Sequence, residues 1–300
     1  MSDHTPVALG MMRIAGLDDA ALRRLVHSAL DLGVRLFDHA DIYGGEPHGC
    51  ERRFGEAGAV AAGRRGAVEL QSKTGIRAGF YDLSAAHIVS SVERSLAALR
   101  TDYLDTLLLH RPDALAEPEE VADAVDRLHA AGKIRAVGVS NHTPGQIELL
   151  RRCLRQPITV NQAQLSLTHS SMVAQGLTTN VADSPQAVDR DNGLLDYCRL
   201  HDIGVQAWSP FQSPATGRPF VGDLDAYPEL NAALTRVAGV HGVSETAVAV
   251  AWIVRHPARM QVVLGTTNPE RLADAVSGSA LTLSREDWYG LYRAAGNVLP

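Results

Sequence analysis

Short runs of aliphatic residues alternate with amphipathic stretches along almost the whole chain of 300 residues. A short apolar run is typical of a buried strand, and apolar positions that recur every three or four residues are typical of a helix packed on one face. The alternation therefore predicts repeated strand–helix units and a parallel sheet. The eight predicted strands are Val7–Met11, Arg35–Asp38, Val68–Ser72, Leu104–His110, Ala136–Val139, Thr159–Gln162, Gly204–Trp208 and Gln261–Leu264.

The amphipathic stretches predict helices between and after these strands. One start is well signalled, because "TPGQ" at 143–146 has the threonine, proline and glutamine of a capping box. The segment 166–191 is polar, turn-rich and long for a loop, and such loops are often functional. The predicted helices are Asp18–Leu32, Cys50–Ala61, Ala85–Leu99, Pro118–Ala131, Pro144–Cys153, Asn192–His201, Pro228–Val240, Glu245–Arg255, Pro269–Val276 and Arg285–Ala294.

This order of elements fits a (β/α)8 TIM barrel of eight parallel strands, followed by one extra C-terminal helix. An open doubly wound sheet gives a similar order, but no G-x-G-x-x-G motif follows any strand. No linker, low-complexity tract or shift in composition divides the chain. We therefore expect residues 1–300 to form a single barrel domain.

Composition and charge exclude several classes of protein. The chain is 45% hydrophobic and 21% charged with a net charge of −6, which is ordinary for a globular protein and gives no basic surface for nucleic acid or an anionic membrane. We see no signal peptide, and the apolar run "TAVAVAWIV" is too short to span a membrane, so we expect a cytoplasmic protein. Cys50, Cys153 and Cys198 are widely spaced, which supports neither a disulfide framework nor a zinc site.

Polar residues collect at the carboxyl ends of the predicted strands, where a barrel carries its chemistry. The strand interiors beside them, such as "LDTLLLH" and "MQVVLGTT", are apolar. The polar side chains are therefore expected along one rim. These strand-end residues are Asp38 with Tyr43, Lys73, His110, Ser140 with Asn141, Gln162, Trp208 with Ser209, and Thr266.

Four of these residues, Asp38, Tyr43, Lys73 and His110, have the chemistry of a proton-transfer group. A tyrosine hydroxyl has an unassisted pKa of about 10. An ammonium about 4 Å away, at an effective dielectric constant of about 20, would favour the phenolate by roughly 4 kcal/mol, which is at most about three pKa units. Asp38 would keep Lys73 charged and offset part of that effect, and His110 could orient a substrate oxygen. Tyr43 is therefore a candidate general acid.

Seven motifs follow one another along the chain: "FDHADIYGG", "LQSKTGI", "LDTLLLHRPD", "GVSNHTPGQ", "VNQ", "AWSP" and "GTTNPERL". Together they resemble the motifs of the aldo-keto reductases, and most of all the bacterial branch of predicted oxidoreductases. The resemblance extends from about Leu9 to the C-terminus. It implies a barrel that binds a nicotinamide cofactor and reduces aldehydes or ketones to alcohols. Because the first strand begins almost at once, the family's N-terminal hairpin is expected to be very short or absent.

The resemblance also assigns roles to individual residues. It gives the catalytic tetrad as Asp38, Tyr43, Lys73 and His110, with the tyrosine protonating the carbonyl oxygen. The expected cofactor contacts are Ser140, Asn141 and Gln162 for the nicotinamide carboxamide, Trp208 for stacking on the ring, Ser209, Gln212 and our own addition Arg218 for the pyrophosphate, and Thr266 and Arg271 for the adenosine phosphate. The last two lie at a helix N-terminus, which suits an anion.

The expected cofactor is NADPH or NADP+, and NADH stays open. The reason is Gly265, which stands where many members of the family carry a lysine, so that Arg271 has less help in holding a 2′-phosphate. The expected partner is a small-molecule carbonyl or alcohol, and a monomer is the default. Neither the physiological carbonyl nor the direction of reaction follows from the sequence.

Two other functions remain open at this point. A metal-dependent hydrolase or isomerase on the same barrel would use Asp38, His39 and His110 as ligands, but no H-x-H or H-x-x-x-H motif occurs, so we expect no metal. A nicotinamide-binding regulatory or sensor protein without turnover is the other alternative, and the intact tetrad weighs against it. His39 and Asp41 themselves are expected to form the turn or to support the site from behind.

Overall fold

The computed structural model describes residues 5–60, 63–182 and 184–299. Its strands are β1 (Val7–Gly10), β2 (Leu36–Asp38), β3 (Glu69–Thr74), β4 (Ile76–Arg77), β5 (Phe80–Tyr81), β6 (Leu104–Leu109), β7 (Ile134–Ser140), β8 (Ile158–Gln164), β9 (Gly204–Trp208) and β10 (Gln261–Leu264). Eight of them close a barrel in the order β1-β10-β9-β8-β7-β6-β3-β2. The predicted parallel eight-stranded barrel is confirmed.

Helices separate the barrel strands, as the amphipathic pattern predicts. They are α1 (Asp19–Asp31), α2 (Gly49–Glu56), α3 (Ala85–Leu99), α4 (Pro118–Ala130), α5 (Pro144–Arg151), α6 (Ser171–Leu177), α7 (Leu194–Leu200), α8 (Pro228–His241), α9 (Glu245–Val254), α10 (Pro269–Ser277) and α11 (Arg285–Ala294). The extra C-terminal helix is α11. Within the described residues no single helix is long and apolar enough to cross a membrane, and α8 with α9 meets the length and composition test only as a pair bent by 91°.

Strand register places several strand-end residues beside one another. Asp38 at the end of β2 is paired with Gln71 of β3, and Ser140 at the end of β7 is paired with Gln162 of β8. Lys73 of β3 is paired with Leu108 of β6. Because all these pairs are parallel, their carboxyl ends point the same way.

Three parts of the chain differ from the prediction. β4 and β5 form a short antiparallel hairpin, which is too short to give a periodic signal, and α6 occupies part of the segment expected to be a loop. The helix predicted over Cys50–Ala61 ends at Glu56, because Gly58 takes a φ of 58° that a helix cannot continue through. Ala61 lies outside the described residues, and so do residues 1–4, where an N-terminal hairpin would begin.

Contacts between Cα atoms divide the chain into two compact units. The first unit contains Ala8–Gln162 and Gly265–Pro269, and the second contains Thr5–Val7, Ala163–Leu264 and the chain from Glu270 onward. The expectation that residues 1–300 form a single domain stays a prediction.

The core of the second unit is built around α9, in which seven of ten residues are buried. Trp252 of α9 and Trp288 of α11 stack with their ring centroids 5.0 Å apart. Each indole N–H donates to the backbone carbonyl of the other residue, at 3.2 Å from Trp252 and 2.9 Å from Trp288. This reciprocal pair satisfies both buried indoles while it holds α11 against α9.

Candidate active site

Tyr43 lies in a tight loop that follows β2. The backbone N–H of Asp41 donates to the carbonyl of Lys73 at 3.0 Å, so the loop stays paired with β3 beyond the end of β2. Gly44 has a φ of 107°, and a Cβ there would lie 2.6 Å from the backbone nitrogen of Cys50. Only glycine fits that position, and it lets Cys50 N–H bind the carbonyl of Tyr43 at 2.9 Å.

Lys73 is the centre of the site. Its Nζ donates to Asp38 Oδ2 at 2.7 Å, to the carbonyl of His39 at 2.9 Å and to Tyr43 Oη at 3.2 Å. An ammonium has three N–H donors, so these bonds use all of them. The side chains of Lys73 and Asp38 are 0% and 3% exposed. A buried and fully bonded cation is therefore fixed at the Tyr43 hydroxyl.

The second oxygen of Asp38 accepts two amide hydrogen bonds, from Gln71 Nε2 at 2.6 Å and from Gln162 Nε2 at 3.1 Å. With the bond from Lys73, three donors hold this buried carboxylate in place. Gln71 is not among the site residues predicted from the sequence. Its signal was its place on β3 two residues before Lys73, on the same face of the strand.

The pKa of Tyr43 differs from the sequence expectation in direction. Burial raises the pKa of this phenol, and the opposing attraction of Lys73 does not cancel that effect, so the net pKa lies above the ordinary value. Burial lowers the pKa of Lys73, but the attraction of Asp38 and Tyr43 outweighs it and the net pKa is raised. At neutral pH the phenol is therefore protonated and the amine is charged. This is the state that a proton donor beside a cation requires.

His110 follows directly after β6, and its ring stands edge-on to Tyr43 with a centroid distance of 6.0 Å. Burial, with help from the charges of Lys73 and Arg111, lowers the pKa of His110 to about 2. The imidazole is therefore neutral and carries one N–H. Its Nδ1 is buried and has no hydrogen-bond partner among the described residues. A neutral histidine at this place can donate one hydrogen bond to an oxygen next to Tyr43.

The three residues expected to bind a carboxamide form a connected group with Asp38. Ser140 Oγ donates to the carbonyl of Gln162 at 2.8 Å and accepts from Asn141 Nδ2 at 2.7 Å. Asn141 has a φ of 60°, which turns the chain out of β7. Thr143 caps α5 in the predicted capping box, so Ser140 and Asn141 are not needed for that role.

Gly265 and Thr266 follow β10. Arg13 reaches them from the chain after β1, and its Nη1 donates to the carbonyl of Gly265 at 3.0 Å. A cation therefore lies where the sequence departs from the family pattern. Thr266 Oγ1 accepts from Asn268 N–H at 3.1 Å, in the turn that leads into α10. Arg271 is exposed in the first turn of that helix.

The other four expected cofactor residues belong to the second unit. Trp208 ends β9, and Ser209 follows it in the left-handed conformation with a φ of 51°. Gln212 holds the next loop together, because its Oε1 accepts from Ser209 Oγ at 3.1 Å and its Nε2 donates to Gly217 at 3.1 Å. Arg218 is exposed in the same loop and pairs with Asp223 at 3.3 Å.

The geometry does not favour a metal centre. No group of three or more His, Cys, Asp or Glu in the described part of the chain is placed to hold a metal ion. Asp38, a ligand in the metal alternative, is already bonded to Lys73 and to two amides. The ring of His39 packs edge-on against Phe54 instead.

Comparison with known proteins decides the family. The sequence profile described as "Aldo/keto reductase family" matches residues 6–293. The chain belongs to the aldo/keto reductase family. The family and the oxidoreductase class predicted from the motifs are confirmed.

Two relatives and one solved structure illustrate the similarity. A 6-dehydroglucose reductase of Agrobacterium fabrum is 37% identical over 96% of this chain and 93% of its own. Oxidoreductase YdhF of Escherichia coli is 36% identical over 90% of this chain and 86% of its own. An aldo-keto reductase of Klebsiella pneumoniae, solved in complex with NADPH, has a TM-score of 0.73 at 24% identity and covers 98% of this chain and 95% of its own. This last likeness shows the shared aldo/keto reductase fold.

Proposed function

We propose that this protein reduces aldehydes or ketones to alcohols with NADPH, and that Tyr43 is the proton donor. One observation carries the proposal: Lys73 Nζ joins Asp38, the carbonyl of His39 and the Tyr43 hydroxyl in a single buried arrangement. A buried cation on a phenol stabilises the phenolate that remains after the proton has left. Family membership supplies the class of reaction.

The residues present fit a nicotinamide dinucleotide. Ser140, Asn141 and Gln162 carry the hydroxyl and amide groups that suit a carboxamide, and they form one hydrogen-bonded group with Asp38. In the first unit, Arg13, bonded at Gly265, is a cation that would hold a 2′-phosphate. In the second unit, we assign the same role to Arg271 in the first turn of α10. We assign stacking to Trp208 and the pyrophosphate loop to Ser209, Gln212 and Arg218. Bound NADPH supplies a hydride to the carbonyl carbon.

Tyr43 delivers the proton in this mechanism. Its raised pKa keeps the phenol protonated at neutral pH, so the acid is ready when the carbonyl oxygen gains negative charge. The proton passes from Tyr43 Oη to that oxygen, and the O–H bond of the alcohol forms as the phenol O–H bond breaks. Lys73 balances the resulting phenolate, while Asp38 keeps Lys73 charged and aimed.

His110 orients the carbonyl. Its pKa of about 2 keeps the ring neutral at neutral pH, so His110 donates a hydrogen bond without competing with Tyr43 for the proton. The neutral ring also adds no second positive charge beside Lys73. We therefore assign a binding and orienting role to His110 and the proton transfer to Tyr43.

The test is a carbonyl panel assayed by the loss of NADPH absorbance. The panel includes 6-dehydroglucose, which appears in the name of the Agrobacterium relative, together with simple aliphatic and aromatic aldehydes. We expect turnover with at least one carbonyl, and Tyr43→Phe should lower kcat by about 10²- to 10⁴-fold, the usual contribution of general acid catalysis. NADPH binding, measured by fluorescence, should survive that substitution.

Each other result has a clear meaning. Binding of NADPH without turnover of any carbonyl would favour the sensor alternative, and no binding at all would exclude both proposals. Full activity of Tyr43→Phe would leave carbonyl reduction standing but remove Tyr43 as the acid.

A further inference from the structure

The residues on either side of Lys73 are anchored by buried carboxylates. Successive side chains of a strand point to opposite faces, so Ser72 and Thr74 point away from the face that carries Lys73. Ser72 Oγ donates to Glu51 Oε1 at 2.5 Å, and Thr74 Oγ1 donates to Asp41 Oδ2 at 3.1 Å. Both carboxylates therefore hold β3 next to Lys73.

The same two carboxylates bind α3. Ser91 and Ser95 lie four residues apart, on one face of that helix. Ser91 Oγ donates to Asp41 Oδ2 at 2.9 Å, and Ser95 Oγ donates to Glu51 Oε2 at 3.1 Å. Each carboxylate thus accepts one hydroxyl from β3 and one from α3.

Asp41 and Glu51 also lie on either side of Tyr43 in the sequence. Asp41 precedes it in the loop, and Glu51 follows it in the first turn of α2, where Glu51 Oε2 is 2.6 Å from His48 Nδ1. Asp41 is 4% exposed and Glu51 is 0% exposed. Burying two carboxylates costs solvation energy, which these hydrogen bonds have to offset. An apolar contact could fill the same space, but it would not fix the orientation of the loop that carries Tyr43.

We propose that Asp41 and Glu51 are positioning residues, which form a double clamp that holds the Tyr43 loop against β3 and so sets the distance between Lys73 Nζ and Tyr43 Oη. The clamp comprises these two carboxylates with Ser72, Thr74, Ser91 and Ser95. Neither carboxylate touches the reacting atoms. The effect of the clamp on catalysis rests on the proposed function, whereas its hold on the loop does not.

The test removes the α3 side of the clamp with the double variant Ser91→Ala/Ser95→Ala, which leaves both carboxylates and their β3 partners in place. A small misplacement of a catalytic group lowers rates by up to about 10²-fold, so we expect kcat to fall about 10- to 100-fold. KM for the carbonyl and the Kd of NADPH should change by less than about threefold. The solvent deuterium isotope effect on kcat should rise, because proton transfer from Tyr43 becomes slower.

The matched control is Ser90→Ala in the same helix. Ser90 is exposed and its Oγ donates only to the carbonyl of His87 among the described residues, so kcat and the isotope effect should match the wild type. If the double variant does not fold, Thr74→Val takes its place with the same expectations, because valine keeps nearly the same shape. An active double variant with wild-type kcat and isotope effect would overturn the positioning role.

Hydrogen exchange tests the clamp without any turnover. The amides of Asp41, His48 and Cys50 are protected by bonds that keep the loop folded. They should exchange faster in the double variant and not in Ser90→Ala. Exchange within about twofold of the wild type would contradict the clamp. If the wild type neither binds NADPH nor reduces a carbonyl, the proposed function is wrong. The exchange result would still show whether the clamp holds the loop.

Discussion

The two units of the chain bury different kinds of residue. Every buried Asp, Glu, Lys and His in the described chain lies in the first unit, among them Asp38, Lys73 and His110, to which we assign catalytic roles. The buried polar residues of the second unit are neutral, and its core is dominated by α9 and by the stacked pair Trp252 and Trp288. Among the described residues, the first unit therefore buries charged side chains beside its apolar core, whereas the second unit buries only neutral side chains.

The two kinds of burial differ in how precisely they orient side chains, and not only in how much they stabilise the fold. A buried ion pair contributes little net stability compared with apolar residues of the same volume. Removing one partner is strongly destabilising, because the other charge is left buried and unpaired. Apolar packing stabilises a fold without aiming any atom at another. We infer that the first unit uses its buried charges to set the geometry of a reaction, and that the core of the second unit contributes mainly packing.

Lys73→Met is expected to have the largest effect, because it removes the buried cation of the first unit. The substitution leaves Asp38 buried without its cation, which costs about 3–5 kcal/mol of stability, and it removes the stabilisation of the Tyr43 phenolate. We expect kcat to fall by at least about 10³-fold, towards the upper range for acid–base catalysis. Chemical denaturation and steady-state kinetics measure the two effects.

The control for that variant is Lys133→Met, which changes the only other lysine of the sequence. Lys133 pairs with Glu93 at the surface, with side chains 35% and 45% exposed. A surface pair of this kind contributes about 0–1 kcal/mol, so stability and kcat should hardly change. Equal losses in both lysine variants would contradict the special position of Lys73.

Trp288→Ala should give the opposite pattern. Removing a buried aromatic costs about 3–5 kcal/mol through lost contacts and a cavity, and here it also removes the hydrogen bond from Trp288 Nε1 to Trp252. We expect a stability loss comparable to that of Lys73→Met, but a kcat per folded molecule close to the wild type. Active-site titration with NADPH would give the folded fraction. A large fall in kcat of the folded protein would contradict the division of roles.

The sequence alone predicted the parts of this picture that depend on periodicity and chain order. Alternating apolar runs and amphipathic stretches indicated the barrel, and the strand-end rule brought Asp38, Tyr43, Lys73 and His110 together. The register pairs and the bonds of Lys73 confirm that these strand ends meet. The cofactor roles of Trp208, Gln212 and Arg218 stay predictions.

The remaining features depend on partners and burial, which a periodic pattern does not encode. Gln71 was passed over because an amide in a strand looks like any polar residue until its register partner, Asp38, is known. Asp41 was expected to form a turn or to support the site, and its bonds to Thr74 and Ser91 favour the second role. The pKa of Tyr43 was expected to fall towards neutrality, and the desolvation that raises it became visible only in the folded chain.

Lowering the pH should destabilise the first unit, because it buries histidines in their neutral form. Burial lowers the pKa of His110 to about 2 and the pKa values of His39 and His142 to about 4, from 6.5. Below that ordinary value the unfolded chain takes up protons that the folded chain refuses, so stability is present above it and is lost as pH falls. Each group contributes roughly 1.4 kcal/mol per pH unit until its folded pKa is reached. Urea unfolding between neutral pH and the folded pKa values measures the slope.

His39→Phe is expected to have the smallest effect, a weaker dependence of stability on pH. Neither ring nitrogen of His39 has a hydrogen-bond partner in the described structure, and its ring already packs against Phe54 at 4.9 Å. Phenylalanine keeps that packing and removes one titrating group, so the acid slope should drop by roughly 1.4 kcal/mol per pH unit. His256→Phe in the second unit should flatten the slope less, because that ring is only half-buried and its Nδ1 accepts from Ala258 N–H. If the two variants had equal effects, acid sensitivity would not distinguish the two units.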